Sequence, residues 1–199
     1  MFTGIIESQG KIVSVENQGA NKTFWIESAI SSRLKIDESL SHNGICLTIE
    51  EIQNNTHRVT AIKETIDKTN IEEWKQSDII NLERSMLMNG RIDGHMVQGH
   101  IDTKVKCLER KEMNGSWEFT FEFNKKFAFL VIEKGSICIN GVSLTAFNVR
   151  NKKFTVAIIP YTFEHTNFSG IQKGSTVNIE FDIIGKYVTR ITELRKTLG

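Results

Sequence analysis

A short motif with chemically useful side chains occurs twice in the chain. Residues 43–48 read Asn-Gly-Ile-Cys-Leu-Thr, and residues 140–145 read Asn-Gly-Val-Ser-Leu-Thr. The first copy therefore has Cys46 where the second has Ser143. A thiol is a nucleophile when it is ionised, and a hydroxyl both donates and accepts hydrogen bonds. The motif predicts two related pockets that bind alike but act differently.

The same residue types permit a hydrolase interpretation, which the sequence disfavours. Ser143, His100 and Asp182 are the types found in a Ser-His-Asp triad, but Ser143 lacks the Gly-x-Ser-x-Gly elbow that presents such a nucleophile. A metal site is also disfavoured, because His95 and His100 are five residues apart and would lie on opposite faces of a strand. We therefore expect neither a hydrolase nor a metal centre.

The motif belongs to a much longer internal repeat. When the chain is shifted by about 97 positions, matches continue well beyond the motif. Residues 81–83, Asn-Leu-Glu, match residues 178–180, Asn-Ile-Glu, and with a slightly smaller shift residues 1–6 match residues 96–101. A repeat of this length is a whole domain rather than a solenoid unit. We expect two homologous domains.

The domains are expected at residues 1–88 and 95–183, joined by a turn-forming segment that contains Asn-Gly and Asp-Gly. Their apolar segments are short, rich in β-branched or aromatic residues, and spaced by about ten residues. Residues 117–123, for example, alternate with period two, as a strand with one buried face does. The pattern predicts an all-β fold of small antiparallel barrels.

Helical periodicity is confined to two segments. Asn124 is expected to cap a short helix that reaches Ile132. Residues 184–199 have an amphipathic helical pattern. Its apolar stripe consists of Ile184, Val188, Ile191, Leu194 and Leu198. A stripe on a helix outside a compact barrel needs a partner, either its own domain or matching helices of other subunits.

Composition excludes several classes of partner. The net charge is +1, from 25 basic and 24 acidic residues, so there is no charge excess for nucleic acid or an anionic membrane. No apolar run approaches the roughly 18 residues of a membrane span, and the N-terminus lacks a signal-peptide pattern. The three cysteines have no Cys-x-x-Cys spacing, which fits a reducing compartment. We expect a cytoplasmic protein.

Four segments together carry a resemblance to a known family. They are residues 1–7, Met-Phe-Thr-Gly-Ile-Ile-Glu, the paired motifs, residues 94–100, Gly-His-Met-Val-Gln-Gly-His, and residues 177–180, Val-Asn-Ile-Glu. They closely resemble the riboflavin synthases of the alpha-chain type, in order over nearly the whole chain. The resemblance implies tandem six-stranded Greek-key antiparallel barrels, with the C-terminal helix at 184–199 holding a homotrimer.

The resemblance also implies a transferase activity that completes riboflavin biosynthesis. Two molecules of 6,7-dimethyl-8-ribityllumazine exchange a four-carbon unit, which gives riboflavin and 5-amino-6-ribitylamino-uracil. No metal or redox cofactor is implied. The active site would form between the first barrel of one subunit and the second barrel of its neighbour. Two facing pockets for one substrate make the encounter effectively intramolecular, which can supply about 7–11 kcal/mol.

By motif match, the resemblance assigns substrate-binding residues to both barrels. Backbone groups and small hydroxyls suit the edge of a flat pteridine and a ribityl chain. The first pocket is expected to use Gly4, Ile5, Ile6, Cys46, Leu47, Thr48 and the strand Thr60, Ala61, Ile62, Lys63, Glu64, Thr65. The second is expected to use Gly99, His100, Ile101, Lys134, Ser143, Leu144, Thr145, Ile158, Ile159, Pro160, Tyr161, Thr162 and Phe163.

Six residues are candidates for a catalytic role under the same resemblance. They are His100, Ser143, Asp182, Lys134, Cys46 and Phe2. Phe2 starts the first strand, and we expect it to close the site over bound substrate. The alternative from another class is a chromophore carrier such as the lumazine proteins, which hold one ligand without turnover. The polar residues retained in the second half favour the enzyme.

Overall fold

The computed structural model of the chain describes residues 1–198. Within them the strands are β1 Ser8–Gln18, β2 Asn21–Glu27, β3 Ser39–His42, β4 Ile45–Thr48, β5 Glu51–Gln53, β6 Thr56–Ala61, β7 Ile79–Arg84, β8 Thr103–Met113, β9 Ser116–Glu122, β10 Ser136–Ile139, β11 Val142–Arg150, β12 Lys153–Ile158 and β13 Thr176–Phe181. The α-helices are α1 Lys63–Lys68, α2 Pro160–His165 and α3 Ile183–Leu198. None of these helices is long and apolar enough to cross a membrane.

The two halves have the same order of antiparallel strands, and the predicted all-β fold with a C-terminal helix is confirmed. The second half closes into a six-stranded barrel in the order β10-β11-β12-β9-β8-β13. The first half is a seven-stranded sheet in the order β4-β3-β7-β1-β2-β6-β5, whose edge strands are β4 and β5. These edge strands occupy the place of the single strand β11, so they are joined through Ile49 and Glu50 rather than by ladder bonds.

Backbone bonds at this break keep the first half barrel-like. Ile49 N–H donates to the Glu38 carbonyl, as Ala146 N–H donates to the Gly135 carbonyl in the second half. Each half encloses its own core: one around Phe24 and Leu82, the other around Phe121 and Phe154. Alternating strand residues fill these cores, as the period-two pattern requires.

One local prediction is wrong. The residues after β6 leave the sheet, so Lys63–Thr65, predicted as part of a strand, begin helix α1 instead, and the equivalent residues Pro160–Phe163 begin α2. Pro160 stands in the first turn of its helix, where its missing N–H has no cost. The short helix predicted after Asn124 is present as a 3₁₀ helix, Lys125–Leu130, which ends before Ile132. Asn124 does cap it, accepting from the Lys126 N–H.

The tail helix α3 has the predicted amphipathic pattern. Asp182 caps it, since one carboxylate oxygen accepts from the Ile184 N–H at 3.0 Å, and Lys186 pairs with Asp102. The stripe residues Ile184, Val188, Ile191 and Leu194 are exposed in the single chain. The side chain of Leu198, which the predicted stripe also includes, lies outside the described residues.

The halves meet back to back at the Asn-Gly turns of the two motifs. Asn81 Nδ2 donates to the Asn140 carbonyl at 2.9 Å, and Asn178 Nδ2 donates to the Asn43 carbonyl at 3.0 Å. A Cβ built on Gly44 would lie 2.8 Å from the Gly141 nitrogen, which is too close for any side chain. The Asn-Gly pair of each motif therefore serves the junction, and the following residues are left for the pockets.

Candidate functional site

Two cavities lie at equivalent places in the two halves, and each contains one copy of the motif. The first pocket is a cavity of 210 Å³ that contains Cys46. The second pocket is a cavity of 490 Å³ that contains Ser143. The remaining lining residues of the first are Ile45, Glu64, Thr65, Lys68, Thr69, Gly99, His100 and Ile101, and those of the second are Lys134, Leu144, Thr145, Phe147, Ala157, Ile159 and Thr162.

The segments that precede β1 and β8 cross to the opposite half. The Ser143 N–H donates to the Gly4 carbonyl at 2.8 Å, and the Cys46 N–H donates to the Gly99 carbonyl at 2.9 Å. We call residues 1–6 and 96–101 the crossing arms. Ile6 packs on the core of the second half, and Ile101 packs on the core of the first. The first pocket is therefore lined by residues of both halves, whereas the lining of the second comes from its own half and the first arm contacts its motif at the Ser143 N–H.

This exchange corrects the predicted assignment of residues to pockets. Gly4, Ile5 and Ile6 were expected with Cys46, and Gly99, His100 and Ile101 with Ser143. The structure places the first arm against Ser143 and the second arm against Cys46. Matching the two repeats identifies the arms as equivalent but gives no information on which half each one contacts.

Glycine is required where each arm touches the motif of the other half. Gly4 and Gly99 have φ of 79° and 83°, in the left-handed region that β-carbons disfavour. A Cβ on Gly4 would lie 2.6 Å from the Ser143 Cβ, and one on Gly99 would lie 2.5 Å from the Cys46 Cβ. The contact thus depends on the missing side chain as well as on the backbone conformation.

A buried carboxylate holds each arm in place. Glu83 accepts from the Thr3 N–H at 2.7 Å and the Gly4 N–H at 3.0 Å. Glu180 does the same for the second arm, accepting from the Gln98 and Gly99 N–H groups at 2.7 and 2.8 Å. Burial raises the pKa of both carboxyls, although the backbone N–H bonds oppose this shift.

Ser143 is paired with a histidine in the second pocket. His95 Nδ1 lies 2.6 Å from Ser143 Oγ, and the imidazole is 8% exposed. Burial lowers the pKa of His95, and the charge of Asp182 partly opposes this shift. A neutral imidazole can accept a proton from the serine hydroxyl or donate one to it. The pair is therefore able to move a proton at this point of the pocket.

His100 does not contact Ser143 within one chain, contrary to the expected grouping of these residues with Asp182. It lies in the first pocket with an exposed side chain, and its backbone N–H donates to Glu180 at 2.9 Å. Cys46, in the same pocket, is partly exposed. The histidine beside the serine is His95, which the sequence argument considered only as a metal ligand. Among residues 1–198, no three His, Cys, Asp or Glu residues are grouped so that they could hold a metal ion.

The structure contradicts the expected role of Phe2 as a cover over bound substrate. Its side chain is 0% exposed and packs with Val97 and Cys138 between the halves. Its backbone forms a two-way bridge with Val97, at 2.7 and 3.1 Å. Phe2 packs behind the lining of the first pocket, because a Cβ built on the lining residue Gly99 would lie 3.0 Å from the Phe2 ring.

The other predicted residues divide between pocket lining and support. Leu47, Ala61 and Ile158 are buried in the cores, and Thr60 hydrogen-bonds Thr23 across the sheet. Five of the predicted residues have exposed side chains, namely Thr48, Ile62, Lys63, Pro160 and Tyr161. Phe163 is half-buried against Trp117, and Lys134 places its ammonium 5.4 Å from the Phe147 ring centre.

Sequence reasoning missed the two carboxylates that hold the arms. Glu83 and Glu180 lie in the repeated strands β7 and β13, next to the apolar residues Leu82 and Ile179. A carboxylate inside an apolar strand is unusual, and its repetition in both halves is the signal that could have identified them. His95 had no such signal, because the matched segment of the second repeat, residues 96–101, begins after it.

Comparison with known families identifies both halves. The lumazine binding domain family matches residues 3–85 and 98–182. The chain is 38% identical to a riboflavin synthase of Actinobacillus pleuropneumoniae over 94% of this chain and 88% of the relative. It is 37% identical to a riboflavin synthase of Bacillus subtilis over 96% of this chain and 89% of the relative. It is 32% identical to a riboflavin synthase of Saccharomyces cerevisiae over 96% of this chain and 85% of the relative.

Solved structures share the fold at lower sequence identity. A crystal structure of LumP complexed with 6,7-dimethyl-8-(1'-D-ribityl) lumazine has a TM-score of 0.83 and 20% identity, covering 91% of this chain and 99% of the other. A crystal structure of LumP complexed with riboflavin has a TM-score of 0.85 and 21% identity, with the same coverage.

Proposed function

We infer, since the chain belongs to the riboflavin synthase family, that it converts two molecules of 6,7-dimethyl-8-ribityllumazine into riboflavin and 5-amino-6-ribitylamino-uracil. Four carbons pass from one substrate molecule to the other, and the atoms of the two products equal those of the two substrates. The reaction therefore needs no external oxidant or reductant. It is a transferase reaction and the last step of riboflavin biosynthesis.

One observation carries this proposal: the chain builds two cavities that contain equivalent copies of the motif, and an arm from the other half contacts each motif. A reaction between two copies of one compound requires two similar binding sites. The pockets differ at the position of Cys46 and Ser143, so two identical molecules would meet different side chains. Such a difference lets one molecule donate the four-carbon unit and the other accept it.

In the second pocket, we assign Ser143 and His95 to proton transfer at the bound lumazine. The Ser143 hydroxyl would hydrogen-bond the ring, and neutral His95 would take or return the proton through its 2.6 Å contact. Asp182 would favour the protonated histidine when it forms, since its charge raises the pKa of His95. Lys134 would contribute a positive charge at the cavity wall.

The cavities that contain Cys46 and Ser143 are separate within one chain. We therefore propose that the reacting pair forms between subunits of a homotrimer. The exposed apolar stripe of α3 would be buried there; Tyr187 on the same helix is 66% exposed and adds to this face. The first pocket of one subunit would then face the second pocket of its neighbour. His100 and Cys46 would approach Ser143 only across that interface.

The remaining residue assignments stay part of this proposal. Substrate contacts are proposed for the arms, the motifs and the segments 60–65 and 158–163. Residues 1–88 and 95–183 are proposed as the two domains and 184–199 as the trimerisation helix. The odd number of cysteines, without Cys-x-x-Cys spacing, supports a cytoplasmic location.

The decisive test is incubation of the purified protein with dimethyl-ribityl-lumazine without added metal or nucleotide. We expect riboflavin absorbance and fluorescence to appear, with one riboflavin formed for every two lumazine molecules consumed. Stoichiometric binding without riboflavin formation over hours would instead indicate a chromophore carrier. A matched sample of Ser143→Ala controls for spontaneous conversion of the substrate.

A further inference from the structure

Helix α2, which forms a wall of the second pocket, is supported from outside by a stack of three side chains. The rings of Trp117 and Phe163 are parallel within 7°, with centres 3.7 Å apart. The Arg110 guanidinium lies 4.9 Å from the centre of the Phe163 ring. Trp117 belongs to β9 and Arg110 to β8, so two neighbouring strands hold one residue of the helix.

Phe163 is directly linked to the residues that line the cavity. Its N–H donates to the Ile159 carbonyl at 3.0 Å, and Thr162 precedes it in the chain. Both Ile159 and Thr162 line the second pocket. The Phe163 ring is therefore attached to the helical turn that carries this pocket wall. Arg110 is itself fixed, because it donates to the carbonyls of Ser169 and Ile171 at 3.1 and 3.2 Å.

The first half has no such stack at the equivalent positions. Strands β1 and β8 have the same length and the same bulge, which places Val15 opposite Arg110 in the repeat. By the same matching, Lys22 replaces Trp117 and Ile66 replaces Phe163. Ile66 is simply buried in the core, which leaves the outer face of α1 without an aromatic support.

A basic side chain nevertheless holds the same carbonyl in both halves. Lys22 Nζ donates to the Glu72 carbonyl at 2.9 Å, and Arg110 donates to the equivalent Ser169 carbonyl. In the second half the cation comes from a different strand. That change leaves position 117 free for tryptophan. The stack is thus a difference between the halves that the shared fold does not require.

We propose that Trp117 and Arg110 are positioning residues that fix the Ile159–Thr162 wall of the second pocket, and that they set its affinity and selectivity independently of the first pocket. The inference rests on the proposed function, since it takes the second pocket as a flavin or lumazine site. A rigid wall restricts the bound molecule to one orientation, whereas the first pocket, closed by α1, adapts more readily.

The test is a riboflavin titration of the full-length protein, followed by flavin fluorescence and calorimetry, on variants of both halves. Trp117→Leu removes the stack but stays apolar, and Trp117→Phe restores an aromatic ring. Lys22→Leu is the matched change in the first half. We expect Trp117→Leu to weaken one of two binding steps by about fivefold, with Trp117→Phe recovering most of the loss. Lys22→Leu should leave that step unchanged.

Double-mutant cycles identify the affected pocket. Thr65→Val and Thr162→Val alter equivalent lining residues of the first and second pockets. Trp117→Leu should be non-additive with Thr162→Val and additive with Thr65→Val. Equal weakening of both steps, or additivity with both threonine variants, would overturn the inference.

If Trp117→Leu does not fold, Arg110→Lys, which keeps the charge and loses the planar stack, serves in the same cycles. If the riboflavin affinities of both binding steps are unaltered in every variant, the positioning role is overturned and the proposed function is not affected. Absence of riboflavin binding by the unmutated protein would overturn the proposed function with it.

Discussion

The two halves of the chain keep the same strand order and differ in what fills equivalent positions. At the ends of β3 and β10, the first half has His42 where the second has Ile139, and within β6 and β12 it has His57 where the second has Phe154. All four side chains are completely buried. A buried polar pair therefore occupies space that is apolar in the other half.

The histidine pair is hydrogen-bonded in one direction. The Leu40 carbonyl can only accept, so His42 Nδ1 donates to it at 3.0 Å. With both rings neutral, His42 Nε2 accepts from His57 Nε2 at 2.9 Å, and His57 Nδ1 accepts from Ser31 at 2.8 Å. Protonation of either ring would place a positive charge in the buried core, which lowers the pKa of both histidines. The first half thus contains a buried, acid-sensitive histidine pair that has no counterpart at positions 139 and 154 of the second.

The duplication preserved the residues that form the junction and the arm contacts more strictly than the residues that fill the pockets and cores. The Asn-Gly turns, the glycines of the arms and the buried glutamates are present in both halves because the crossing and the junction require them. Pocket and core positions are free to diverge. A matched change in each half separates these two kinds of position.

The largest effect is expected at the crossing of the arms. Phe2→Ala removes a completely buried ring between the halves, and such changes cost about 3–5 kcal/mol. We expect a large fall in the free energy of unfolding, measured in urea, together with a loss of turnover. Val97→Ala, at the paired position on the second arm, should cost less because fewer buried atoms are removed. Lost turnover with unchanged stability would show that Phe2 acts on the substrate instead.

Acid should destabilise the first half through the histidine pair. Burial lowers the pKa of His57 from 6.5 to about 4 and lowers that of His42 well below its usual value. As the pH falls from 6.5 towards 4, the unfolded chain binds protons that the folded chain does not. The free energy of unfolding should therefore be highest above pH 6.5 and fall across this window, by roughly 3 kcal/mol from His57 alone, with a further loss of the same sign from His42.

The control for this prediction copies the second half into the first. The double variant His42→Ile, His57→Phe has the residues found at the equivalent positions 139 and 154. Urea unfolding between pH 4 and 7 should show a much smaller slope for this variant. An unchanged slope would mean that other groups carry the acid sensitivity.

The difference between the motifs should appear in turnover. Ser143→Ala removes the hydroxyl that His95 contacts at 2.6 Å, and loss of a proton-transfer group costs about a hundredfold or more. His95→Gln should have a similar effect on kcat. Cys46→Ala should cause a smaller loss, because Cys46 packs against Phe2 and Gly99. Equal losses for Ser143→Ala and Cys46→Ala would contradict the proposed division of roles.

The sequence predicted the repeat, the β-class and the tail helix, since each depends on local pattern or on matching one half with the other. It did not predict the crossing of the arms. Residues 1–6 and 96–101 match each other equally well whichever half they contact, and that choice is made by long-range bonds such as the one between Gly4 and Ser143. For the same reason it missed His95 beside Ser143, 48 residues away in the chain.

The smallest expected effect, and the most symmetric, concerns the junction of the halves. Asn81 and Asn178 are both 0% exposed, and each donates from its side-chain amide to the Asn carbonyl of the opposite motif. Replacing either by alanine leaves buried partners unsatisfied, which costs about 1–3 kcal/mol. Each side chain also accepts one backbone N–H, from Asn167 and Asn70 respectively, and Asn81 donates in addition to the Asn167 side chain at 2.9 Å. Asn81→Ala and Asn178→Ala should therefore lower the free energy of unfolding by similar amounts, with the larger loss for Asn81→Ala.

The double variant Asn81→Ala, Asn178→Ala tests whether the two bonds act as one network. Asn167 links them, since its Nδ2 donates to the Asn43 side chain at 2.9 Å and its backbone N–H donates to the Asn81 side chain at 2.7 Å. Residues that share partners in this way couple by about 0.5–3 kcal/mol. Urea unfolding of the two single variants and the double variant gives this coupling directly. Strongly unequal single losses would show that the junction, like the pockets, has diverged between the halves.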